Sequence, residues 1–111
     1  MEPIDQGDNN MATRYFEESN PTPSIGYPLR IVGFGNADGH LFVRVSAPIE
    51  YRNRKLHGQE LIERGGRGVT RSLVADFREA DLKSLRQKAV SPTFIAGCET
   101  YLESRKRAFN L

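Results

Sequence analysis

The stretch that most constrains this chain reads RIVGFGNADGHLFVRVS, from Arg30 to Ser46. At its centre, Asn36 and Asp38 tolerate tight turns and Gly39 accepts positive φ, which is hairpin chemistry. After the turn, Leu41, Val43 and Val45 alternate with Phe42, Arg44 and Ser46, so the first set is expected to face a core. Before it, Leu29 and Ile31 fall on one face and Arg30, Val32 and Phe34 on the other. The same residues argue against a dinucleotide loop. That fingerprint, G-x-G-x-x-G, needs a strand before it and a helix after it. Here the spacing is Gly33-x-Gly35-x-x-x-Gly39, and the next segment has strand period, so no helix N-terminus is ready for a phosphate. Gly33 and Gly35 then mark a bulge or a close backbone approach, expected from a covering helix.

A two-stranded hairpin is marginal in water, so something must cover it. Pro48 ends the second strand, and Ile49 and Tyr51 suggest a third, irregular edge strand. The second half reads as helical. Gln59 to Arg64 suits a short helix stopped by Gly65 and Gly66. Thr70 suits the N-cap of a helix whose apolar set is Leu73, Val74 and Phe77. Leu82, Leu85 and Ala89 fall about a third of a turn from that set at ~100° per residue, and Asp81 is a good capping residue placed at the slip. A kink or break is therefore expected near Ala80–Asp81. The apolar faces are expected to cover the hairpin; the alternative is that one of them, with Leu82 and Leu85, is external and packs on another subunit. Ser91-Pro92 opens a further helix, Ser at the cap and Pro at the first position. Phe94, Ile95, Cys98, Tyr101, Leu102 and Phe109 form its apolar stripe. Glu103 stands four residues before Arg107, a favourable helical pair.

The expected architecture is α+β: a β-hairpin, with room for a third antiparallel strand, packed against two to three C-terminal helices. The 111 residues suit one domain. It is expected over residues 21–111, after a disordered acidic segment over residues 1–20, where "SNPTPSIGYP" supplies a turn-rich linker. No stretch resembles a secretory signal or a membrane-spanning helix. The one cysteine, Cys98, rules out an internal disulfide framework and sets the expectation of a reducing, cytoplasmic setting.

Charge carries the functional expectation. The net charge is +2, yet residues 1–20 hold a net −4, leaving +6 on residues 21–111. Arg52, Arg54, Lys55, Arg64, Arg67 and Arg71 crowd one region against Glu60 and Glu63, and Tyr51 offers a ring beside them. Arg105, Lys106 and Arg107 form a second cluster. These nine are the candidate contacts to nucleic-acid phosphates. Arg-Gly-Gly occurs only once, whereas RNA-binding disordered segments repeat it. The leading expectation is a small non-enzymatic binding or regulatory module using this basic surface, its partner nucleic acid or an acidic protein. The alternative is a protein–protein or homodimeric assembly module using an apolar helix face. No cofactor or metal is expected, because His40, His57 and Cys98 lack ligand spacing. No catalytic set is expected, because no nucleophile–base pair or carboxylate pair stands out.

Overall fold

The computed structural model describes residues 13–22, 25–66 and 69–109. Seven strands precede two helices: β1 (Thr13–Thr22), β2 (Arg30–Ala37), β3 (His40–Ala47), β4 (Lys55–Leu56), β5 (Gln59–Glu60), β6 (Ile62–Gly66) and β7 (Val69–Arg78), then α1 (Glu79–Gln87) and α2 (Pro92–Arg105). β1, β2, β3, β7 and β6 form one antiparallel sheet in that order, and β4 pairs with β5 in a small separate ribbon. The α+β class holds, with a five-stranded sheet where a hairpin was expected.

The hairpin itself forms as its turn residues dictate. Ala37 pairs with His40, and Asp38 and Gly39 between them both have positive φ. Two such residues make the turn whose twist matches its strands. The Asn36 side chain accepts a hydrogen bond from the Gly39 N–H at 2.9 Å. A similar two-residue turn at His57 and Gly58, also with positive φ, closes β4 onto β5.

Several expectations are corrected. Gln59 to Arg64 is not a helix but two strands, β5 and the start of β6. Residues 69–78 are also strand, β7, paired with β3 from Leu73 to Arg78. Leu73, Val74 and Phe77 satisfy helical spacing, while Leu73, Ala75 and Phe77 satisfy strand alternation, and it is the strand set that meets the core beside β3. The apparent phase slip is thus a change of element. β7 ends at Arg78, α1 begins at Glu79, and Asp81 accepts the Arg78 N–H at 2.9 Å. Ile49–Tyr51 forms a 3-10 turn rather than a strand. Residues 13–20, grouped by composition with the acidic segment, belong to β1, which pairs with β2 from Thr13 to Glu17 and again at Thr22. Residues 1–12 and Arg67 lie outside the described residues.

A single core lies on one face of the sheet. Ile31, Phe34, Val43, Val45, Ala75 and Phe77 supply its floor, and Leu82, Leu85, Phe94, Ile95, Cys98, Tyr101 and Leu102 of the two helices cover it. Ile31 and Phe34 both reach this core although their spacing puts them on opposite faces. The β2–β3 register shifts between Ile31 and Gly33, and that bulge at Val32 restores the phase. Leu41, Val43 and Val45 face the core as expected. The α2 stripe packs as read from Phe94 to Leu102, and the Phe109 side chain lies outside the described residues. Ser91 precedes Pro92 in a left-handed conformation and makes no side-chain cap.

On the opposite face, cross-strand partners align in two rows: Tyr15, Gly35, Phe42 and Arg78, then Glu17, Gly33, Arg44 and Asp76. The Tyr15 and Phe42 rings lie nearly parallel, 6° apart, with centroids 6.4 Å apart. A Cβ at Gly33 would overlap the Tyr15 hydroxyl, and one at Gly35 would overlap the Phe42 ring. The glycines therefore admit two aromatic rings laid against the sheet. The close approach comes from neighbouring strands, not from a helix. Arg44 lies 4.3 Å above the Tyr15 ring and grips Asp76 through two hydrogen bonds of 2.8 and 3.0 Å. Burial, and then the neighbouring Glu17 carboxylate, push the Tyr15 hydroxyl up to about 12.

Candidate nucleic-acid interface

The eight candidate residues that are described do not form one surface, and Arg67 lies outside the described residues. Arg52, Arg54 and Lys55 line one groove of about 330 Å³ with Asn53, Glu60, Leu61, Glu63 and Leu73. It lies between the loop leading into β4, the β5 strand and the edge strand β6. Sequence proximity brings the first three together, and the turn at His57–Gly58 folds Glu60 back opposite Lys55. The β6–β7 pairing then adds Glu63, which stands opposite Leu73.

Glu63 is the pivot. Arg52 reaches its carboxylate at 3.3 Å and Arg71 reaches the same oxygen at 3.2 Å. Around the groove, four cations (Arg52, Arg54, Lys55 and Arg71) meet two carboxylates (Glu60 and Glu63). The Arg52 and Arg71 side chains are 54% and 69% exposed. Such pairs in water are worth well under ~1 kcal/mol, so either guanidinium can turn to another anion at little cost. Arg54 lies over the Tyr51 ring, 5.0 Å from its centroid. The ring that stands beside the basic run therefore carries an arginine on its face.

Arg64 points the other way. It stands opposite Ser72 on the sheet face away from the helices. There it lines a second groove of about 340 Å³ with Arg44, Ile62, Val74 and Asp76. Positive groups thus flank the β6 edge on both sides.

The C-terminal cluster lies apart from both grooves and is largely spoken for. Arg105 pairs with Glu18 at 2.7 Å, and the Tyr101 hydroxyl donates to the same carboxylate oxygen at 2.6 Å. These two partners, Arg105 foremost, hold the Glu18 carboxyl below its ordinary range. Lys106 pairs with Glu79 at 3.0 Å and Glu103 at 3.4 Å. The helical pair expected between Glu103 and Arg107 is replaced by Glu103 with Lys106. Arg107 lines a shallow groove with Glu99 and Glu103.

Sequence reading missed Glu63 as a shared anchor and Arg44 with Asp76 as a fixed pair. The signal for both was the strand period of residues 69–78, which sets Asp76 beside Arg44 and Leu73 beside Glu63. Cys98 is fully buried, and burial together with Glu99 pushes its thiol up to about 12, which keeps it protonated. Among the described residues, no group of three or more His, Cys, Asp or Glu is placed to hold a metal ion. Nor, among them, is any helix long and apolar enough to cross a membrane. No family model, curated protein or solved structure matches this chain.

Proposed function

We propose that this chain is a small non-enzymatic binding module that contacts nucleic-acid phosphates through the groove of Arg52, Arg54 and Lys55. The supporting observation is the surplus of cations there, two of which share the single carboxylate of Glu63. A phosphate entering the groove releases one arginine from Glu63 and leaves the other paired. Arg54, stacked on Tyr51, loses less freedom on meeting a phosphate than an unsupported side chain would. Contacts of this kind position a strand without reading its sequence. Arg105 and Lys106, held by Glu18, Glu79 and Glu103, are left out of the interface.

Fluorescence anisotropy with labelled mixed-sequence DNA and RNA tests this. Binding at low salt is expected to weaken steeply as salt rises. Arg54→Ala and Lys55→Ala are each expected to weaken it alike for all sequences and to lower the salt slope by about one. Undetectable binding of both nucleic acids at low salt overturns the proposal. No observation on the described residues favours assembly through a helix face: Leu82, Leu85 and the α2 stripe from Phe94 to Leu102 lie in the one core.

A further inference from the structure

Among the described residues, the five-stranded sheet has two edges, β1 and β6. Exposed edges invite pairing with other chains, and proteins blunt them with short strands, bulges, prolines or charges. β6 is blunted. It has five residues, its register shifts after Arg64, and Glu63 and Arg64 occupy its centre. β1 carries charges at Arg14 and Glu17, but it loses regular pairing only after Glu17. From Thr13 to Glu17 it runs in unbroken register, without proline or lysine. Phe16 in this stretch is 38% exposed, stacked on Phe34 with centroids 5.2 Å apart.

We propose that a second copy of the chain pairs with this edge, β1 antiparallel to β1, about a two-fold axis at Tyr15. The two five-stranded sheets then become one continuous sheet. The side chains select this register. A two-fold axis perpendicular to the sheet puts same-face residues opposite one another, so it must pass through a residue. Centring on Arg14 or on Glu17 sets that charge directly against itself, which is destabilising. Centring on Phe16 recruits Glu18, which lies past the regular pairing and is already bound by Tyr101 and Arg105. Centring on Tyr15 uses the five regular residues alone. Thr13 then faces Glu17, Tyr15 faces its own copy, and Arg14 faces Phe16 twice. The last match repeats between chains a contact already made within one, where Arg14 lies 5.6 Å from the Phe16 centroid. Five residue pairs bury a modest area, so the dimer is a weak one that forms with rising concentration. It leaves the basic groove, on the opposite edge, uncovered.

Sedimentation equilibrium from low micromolar to near-millimolar protein is expected to show a mass rising from 12.5 kDa toward twice that value. Phe16→Lys, which sets a lysine against the partner's Arg14, is expected to weaken association at least tenfold. Adding Arg14→Glu to it sets opposite charges face to face and is expected to restore association. In the unaltered chain, amide exchange over residues 13–17 is expected to slow with concentration while that of β6 does not. A mass that stays at one chain throughout overturns the proposal. So does a dimer indifferent to Phe16→Lys, a double variant that stays monomeric, or protection that appears at β6 instead.

Discussion

Gly33 and Gly35 lie beneath two rings, and a methyl group at Gly35 would meet the Phe42 ring and the Arg14 carbonyl. Gly35→Ala is therefore expected to destabilise the fold by about 1–3 kcal/mol, the usual range for overpacking, as read from urea unfolding. The sequence marked these glycines as exceptional but not what approaches them. Tyr15 lies eighteen positions before Gly33, and nothing local in either segment announces the pairing. His57 is a second residue whose role depends on distant chain. Its ring lies 4.5 Å from that of Phe94, and burial pushes its pKa below the ordinary 6.5. A depressed folded-state pKa means that the unfolded chain binds the proton more readily. Stability from this site is full above about pH 6.5 and falls as the pH drops through the lower folded value. His57→Asn, which tolerates the positive φ there, is expected to flatten the dependence of the unfolding midpoint across that window. An unchanged slope would show that His57 is not its source.

At the scale of elements, turns were legible and long-range strands were not. Asp38-Gly39 carries its own instruction, so β2 and β3 form where the sequence places them. Gly39→Val puts a β-branched residue at φ +83°. It is expected to cost about 1–2 kcal/mol by thermal unfolding. β7 was misread because Leu73, Val74 and Phe77 fit a helix as well as Leu73, Ala75 and Phe77 fit a strand. What decides is β3 alongside it, a partner some thirty positions away that supplies the ladder. Phe77 joins β7 to the helices, in edge-to-face contact with Phe94 at 5.1 Å, and is fully buried. Phe77→Ala is expected to cost about 3–5 kcal/mol and to loosen sheet and helices in one transition. Separate transitions by near- and far-ultraviolet circular dichroism would contradict a single core.

For the whole molecule, charge distribution matters more than the net +2. The sequence concentrated basic residues in two places, and folding treats the two differently. Near the end of α2, Glu18 returns from eighty-seven positions away to hold Arg105, a pairing that no local pattern reveals. Between Arg52 and Arg71 the carboxylates fall short of the cations, so the surplus survives. Amide chemical-shift mapping of the labelled protein with a short mixed-sequence single strand at low salt tests this division most directly. Shifts confined to residues 52–55, 60–64 and 71, with residues 101–107 unmoved, are the expected result. Shifts centred on residues 101–107, or none anywhere as the strand is raised to excess, would contradict it.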